Sequence, residues 1–330
     1  MCAREVRLSY HDPCSAAQGC EGRKRATCIV GGDRRIDALR REVRLCDPGS
    51  EHRFVRGDDD ELIHGAEGTG TIASAMRVHE LLSIIDARYP FRNAAEWDPV
   101  GLQIGDADAD IGLVGVCHEV TDTIVTMATD AAVGTLVTYH PLLFAPSTSL
   151  RAGPTPQGRA LALARTGVSV VVVHTALDAA TPGSGDAFLG VLGLSTHERL
   201  SIEGEIDECA IGRIAVADTS IPTAEFVEAV QVAAGGPVRT TPGPESVRSV
   251  AVIPGSGGSA IEAVIGRADV LVTGDVSHHK ARLAVSHGLM VVDAGHIGSE
   301  RAGVQAMYSA VAEDVHGAVF LDDDPTPWEG

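Results

Sequence analysis

The sequence predicts an α/β protein made of two lobes of similar kind, with strands covered on both faces. Three observations predict it. Runs rich in Val and Leu, at residues 111–117, 168–173, 269–275 and 289–292, are nearly continuous in apolar character, as strands buried on both faces are. Segments of helical spacing separate these runs, giving the βα alternation that builds a parallel sheet. Several of the strands end in histidine, aspartate or glutamate, and in open α/β sheets functional groups collect outside the carboxyl ends of strands.

Taken in order, residues 1–75 hold no sustained period of 2 or 3.6. They carry five of the seven cysteines, at irregular spacing and without a C-x2-C pair, so neither a disulfide framework nor a zinc knuckle is predicted. They are expected to be a disordered extension, or the product of a start assigned upstream of Met76, where patterned sequence begins. Residues 76–90 then read as a helix leading into Trp97-Asp98-Pro99-Val100-Gly101-Leu102-Gln103-Ile104-Gly105. A strand at 111–117 precedes a helix at 122–133, and a strand at 135–139 ends at His140-Pro141. A helix at 157–166 precedes a strand at 168–173 that ends at His174-Thr175-Ala176-Leu177-Asp178.

The polar segment 195–209 is expected to connect the lobes, which are placed at about 76–195 and 209–330. The second series comprises strands at 209–217 and 246–254 around a helix at 223–234. Gly255-Ser256-Gly257-Gly258 follows, either as a phosphate cradle or as a tight turn. A helix at 259–266, a strand at 269–275 and a helix at 277–288 lead to the strand ending at Asp293. After Gly295 comes a helix through Ala302, Val304, Met307 and Val311, and a strand at 317–321 closes the series.

Composition narrows the function. The 330 residues are 44% hydrophobic, enough for a sizeable core. Residues 76–330 hold 14 basic against 32 acidic side chains, a net charge of −18, which argues against nucleic acid and anionic membrane as partners. No apolar run is long enough to span a bilayer, and a reduced, cytoplasmic protein is expected. His296 and Glu300 stand four apart and point the same way on a helix. With His140, and with His174 and Asp178, they place imidazoles and carboxylates at three strand ends, a donor set for a hard or borderline ion such as Zn, Mn or Fe.

The blocks WDPVGLQIGD, TYHPLLF, HTALD, ADVLVTGDVSHH and DAGHIGSE resemble those of the NIF-three-like family (NGG-one-interacting factor three), over about residues 76–315. Many of its members carry the name GTP cyclohydrolase I type 2 homologue, and this chain is similar to the short form. The resemblance implies a three-layer α/β/α protein with a dinuclear metal site, assembled as a ring-shaped hexamer. It places the ligands at Tyr139, His140, Asp178, His296 and Glu300, with Glu300 bridging and His174 just outside. It also implies one or two divalent ions per subunit and a nucleotide such as GTP as substrate. His174 is then the expected general acid or base, and Glu300 counts with the catalytic residues.

One departure bears on this. Tyr139 stands where the family has the first histidine of a pair, and a neutral phenol binds divalent ions poorly. A second departure lies at residues 117–121, where the family has a Leu-Asp pair before Val120-Thr121: Glu119 can stand in for that Asp, and His118 can supply the missing imidazole. A metal-dependent hydrolase is therefore the leading expectation. A metal-binding scaffold with little turnover is the alternative that Tyr139 favours.

Overall fold

The computed structural model describes residues 76–202 and 209–323, so the expectations for residues 1–75 lie outside the described residues. The first elements are α1 (Val78–Arg88), β1 (Gly101–Ile104), β2 (Leu113–Cys117), α2 (Asp122–Asp130), β3 (Val133–Thr138), α3 (Pro156–Thr166), β4 (Ser169–Val172), α4 (Thr175–Ala179) and α5 (Ser184–Val191). The remainder are β5 (Thr196–Leu200), β6 (Gly212–Pro222), α6 (Thr223–Ala234), β7 (Arg239–Thr240), β8 (Ser246–Ser256), α7 (Ile261–Val264), β9 (Val270–Gly274), α8 (His278–Ser286), β10 (Met290–Asp293), α9 (His296–Asp314) and β11 (Val319–Phe320).

The strands form two mixed sheets, with orders β1-β4-β3-β2-β11 and β5-β6-β8-β9-β10-β7. Strands β4, β3, β2 and β11 run parallel, as do β8, β9 and β10; β11 is a parallel edge, and the other edges are closed by the antiparallel strands β1, β5 and β7. Each sheet is apolar on both faces, which is why its strands read as continuous Val/Leu runs. In the first sheet Val114, Val116 and Val137 pack with Leu81 of α1 and Val304, Met307 and Val311 of α9. On the opposite face Leu136, Val170 and Val172 pack with Ile124 of α2 and Leu163 of α3. The second sheet is covered in the same way, by Phe188 and Phe226 of α5 and α6 on one side and by Ile261 and Ala284 of α7 and α8 on the other.

Three segments differ from the sequence expectation. The polar connector contributes β5, an edge strand whose exposed Glu198 leaves little apolar signal to read. The terminal strand β11 pairs with β2 in the first sheet, across the expected division into lobes. The two-residue strand β7 was not foreseen, being too short for a period of 2 to register. No helix among the described residues is long and apolar enough to cross a membrane.

Helix α9 joins the halves. Its buried residues Glu300, Gly303, Val304, Met307 and Val311 recur at helical spacing, and Gly303 lets the helix lie against the start of α5. A β-carbon at Gly303 would sit 2.6 Å from that of Ser184. A second tie is Arg213 of β6, which is fully buried. Its guanidinium donates to the carbonyls of Asp178 (3.2 Å) and Ala180 and to the Asp186 carboxylate (2.9 Å), so the second sheet holds the turn that carries Asp178.

Gly303→Val is expected to destabilise the protein by about 2 kcal/mol through overpacking. Gly190→Ala, a helical site with open space around it, is expected to be neutral or to stabilise by up to ~1 kcal/mol. Denaturant unfolding of both variants checks the close approach. A pH series tests the Arg213 clamp. Burial opposes ionisation of Asp186, yet hydrogen bonds from Thr196, the Gly183 amide and Arg213 hold its carboxyl below the usual range. That stabilisation is present above the ordinary aspartate pKa of 3.8 and is lost as pH falls through the lower folded value. The stability gap between the unaltered protein and Asp186→Asn should therefore be full at neutral pH and narrow in acid.

Candidate metal centre

The parallel ladder of the first sheet continues two residues beyond β3 and β4. The amides of Tyr139 and His140 donate to the carbonyls of Cys117 (3.1 Å) and His118 (2.9 Å). Those of Val173 and His174 donate to Thr138 (3.0 Å) and Tyr139 (2.9 Å). This register sets His118, His140 and His174 side by side at the carboxyl end of the sheet. In the second sheet, Asp293 of β10 pairs with Thr273 of β9, and the chain turns through Gly295 into α9. Gly274 permits that turn, because a β-carbon there would meet the Gly295 carbonyl carbon at 2.6 Å.

Glu300 is where the two halves meet. Its side chain is 3% exposed. His118 Nε2 lies 2.7 Å from Oε2, His140 Nε2 lies 3.1 Å from the same oxygen, and His296 Nε2 lies 3.2 Å from Oε1. The His118 and His140 rings stack in parallel at 5.2 Å, so both present Nε2 to one carboxylate oxygen. His118, His140 and Glu300 bring ligand atoms within 4.8 Å of one another, a group that can hold a metal ion. Burial disfavours the charge on Glu300, but the three imidazoles outweigh it and hold the carboxyl well below the usual range. His296 is pushed up to about 9, mainly by its hydrogen bond to Glu300 against the effect of burial. Asp275, 2.7 Å from His296 Nδ1, adds to that rise and orients the ring.

The donor set suits a divalent ion: imidazole nitrogens and a dehydrated carboxylate, with no lysine or arginine among them. Gly255 keeps the place open, since a β-carbon there would lie 2.4 Å from Glu300 Oε1. The glycine-rich turn is otherwise committed. The Gly255 and Gly257 amides donate to Ser299 and Thr273 hydroxyls at 2.8 and 2.9 Å, which favours the tight-turn reading over a phosphate cradle.

Tyr139 and Asp178 form a neighbouring pair. The Tyr139 hydroxyl lies 2.9 and 3.0 Å from the two Asp178 oxygens and donates to that carboxylate, which also accepts from the Ser184 hydroxyl. Burial, then the charges of Asp178 and Glu300, push the phenol well above its ordinary value, so it stays protonated. Burial likewise raises Asp178, to about 6, against the hydrogen bond from Ser184 and the neighbouring His174. His174 sits at an unusual backbone conformation, φ 38° and ψ −124°, of the strained kind found at functional sites. Its Nδ1 lies 3.0 Å from Oδ1 of Asp98, whose side chain is fully buried and accepts from the Thr175 amide through Oδ2.

Of the sequence-predicted residues, His140, His296 and Glu300 converge. Tyr139 and Asp178 face each other beside them, and His174 packs its ring on those of Tyr139 and His140 at 5.4 and 5.1 Å. His118 has the shortest contact with Glu300. Alternation along β2 supplies the signal for it. Val114 and Val116 face α9 while Cys117 faces α2 and α3, so the next residue returns to the α9 side. Glu119 instead lines a surface cavity of about 250 Å³ with Val120 and residues 141–145, among others. Asp98 was not singled out, because a lone aspartate before a proline resembles a turn residue.

These features define a mixed α/β protein with a histidine–carboxylate centre at the carboxyl ends of two sheets. The family model Duf34/NIF3 (NGG1p interacting factor 3) matches residues 76–327, and the chain belongs to this family. It is 31% identical to the GTP cyclohydrolase 1 type 2 homolog of Streptomyces coelicolor, over 68% of this chain and 81% of the relative. Identity to the GTP cyclohydrolase 1 type 2 of Helicobacter pylori (strain 26695) is 26%, over 74% and 93%. Among solved structures, a Bacillus cereus protein related to NIF3 superposes with a TM-score of 0.68 at 20% identity, covering 77% of this chain and 99% of that one.

Removing the Tyr139 hydroxyl deprives a buried carboxylate of a donor. Tyr139→Phe is expected to lower stability by about 1–3 kcal/mol, read by urea unfolding. An unchanged midpoint would mean that Ser184 alone satisfies Asp178.

Proposed function

We propose that this chain is a divalent-metal-dependent hydrolase acting on a nucleotide. His118, His140 and Glu300 hold the ion, and His296 and Asp178 complete its surroundings. The observation that carries this reading is the convergence of three imidazole Nε2 atoms on the buried Glu300 carboxylate. A divalent ion bound there lowers the pKa of water and polarises the centre under attack.

The chain's own residues do the rest. Glu300, ionised by its three imidazole partners, supplies the negative charge that selects a cation. His174 is the proton carrier in this reading, being the imidazole that lies beside His140 and Tyr139 with its Nδ1 3.0 Å from the buried Asp98 carboxylate. Because Tyr139 keeps its proton and donates it to Asp178, it serves as a brace for that carboxylate and not as a ligand. The nucleotide, GTP in the first instance, follows the names of the Streptomyces and Helicobacter relatives. A homohexamer, from the family resemblance, and a cytoplasmic location belong to the same proposal.

A second reading rests on Tyr139. With a phenol where the family has histidine, the centre holds one ion and works as a metal-binding scaffold with little turnover. Two measurements separate the readings. Metal content per subunit, after loading with Zn, Mn or Fe and gel filtration, should be one ion, falling at least ~10-fold in affinity for His118→Ala and rising towards two for Tyr139→His. GTP turnover by the loaded protein should be abolished in Glu300→Gln and reduced ~100-fold or more in His174→Ala. Bound metal without turnover of GTP or a phosphoester would favour the scaffold. No metal in any variant would end both readings.

A further inference from the structure

Two large aromatic side chains stand in the open beside this centre. Trp97 is 61% exposed and Phe144 is 59% exposed, and their rings meet at 5.6 Å with a tilt of 47°. Scattered exposed apolar residues are ordinary, but these two are brought together by loops fixed from below. The Trp97 loop is tied to α4, with the Ala95 amide donating to the Thr175 hydroxyl at 3.0 Å and Asp98 accepting from the Thr175 amide at 3.0 Å. The Phe144 loop is tied to β1. The Gln103 side chain donates to the Leu143 carbonyl at 3.1 Å and accepts from the Leu143 amide at 2.9 Å.

The pair leads into the centre. Trp97 meets the His174 ring edge-on at 6.0 Å, and His174 is 5.1 Å from His140. We infer that Trp97 and Phe144 form the platform on which the planar heteroaromatic ring of the substrate stacks, with the rest of the substrate reaching past His174 to the histidine–carboxylate centre. This deepens the reading of the site as nucleotide-directed and rests on it. Two side chains offer far less area than the 1,000 Å² or so that a stable protein partner needs. A net charge of −18 over residues 76–330 disfavours a long nucleic acid. A single ring fits both limits, and stacking on an aromatic face is favourable whichever base is presented, because every base has a π-face.

The test uses the metal-loaded full chain carrying Trp328→Phe, which leaves Trp97 as the one tryptophan. Guanosine, which has the ring but no phosphate, should quench Trp97 emission saturably, whereas ribose 5-phosphate should not. In the same background, Phe144→Ala should weaken guanosine binding about ten-fold with metal content and circular dichroism unchanged. Three results would overturn the inference without touching the nucleotide reading. The first is saturable guanosine binding, followed by calorimetry, that leaves Trp97 emission and the Phe144→Ala affinity untouched. The second is GTP turnover in the unaltered chain with no guanosine quenching, which would spare the proposed function and remove the platform. The third is Phe144→Ala changing the oligomeric state by light scattering while guanosine affinity holds, which would make the pair a subunit contact. Absence of both turnover and nucleoside binding, with metal bound, would remove the nucleotide reading itself and the platform with it.

Discussion

The structure depends on a carboxylate kept out of water. Glu300 is almost wholly buried, and an unpaired charge in that position costs several kcal/mol or more. Its neighbours offset this with three imidazoles, none of which is adjacent to it in sequence. Two come from the first sheet and the third from the start of the helix that bears Glu300 itself. The charge therefore acts as a geometric constraint. The ends of β2 and β3 and the start of α9 must meet at one point, within hydrogen-bond distance, for the fold to accept it.

The scaffold meets that constraint with ordinary means. Parallel register carries His118, Tyr139, His140 and His174 to one edge of the first sheet. Gly274 lets β9 pass close to the start of α9, Gly295 makes the turn at positive φ, and Gly303 seats α9 against α5, and together they deliver Glu300 there. Arg213 then clamps the turn between α4 and α5 from the other side, fixing Asp178 against Tyr139. Of the three non-glycine positions with positive φ among the described residues, His174 and Asp275 touch or orient the cluster, while Ala132 lies just after α2.

Much of this was legible in the sequence because burial on both faces leaves continuous Val/Leu strands, and because chemistry collects at their ends. The strands around His140, the HTALD turn and the helix after Gly295 were readable for that reason. His118 was harder. It stands in the sequence only as a neighbour able to supply the imidazole missing at Tyr139, and its signal is the alternation of one short strand. β5 and β11 were misjudged in role because edge strands are half-exposed, and their partners are set by topology and not by local pattern. Asp98 and Arg213 act through hydrogen bonds to distant backbone, which no spacing along the chain records.

The central claim is that His118, His140 and Glu300 together bind a metal ion. The most direct measurement is an anomalous difference map from a crystal of the zinc-loaded protein, collected either side of the zinc absorption edge. The account predicts a peak among His118 Nε2, His140 Nε2 and a Glu300 oxygen, at about 2.0–2.2 Å from each. A map with no peak there, or with zinc only on surface carboxylates, would contradict it.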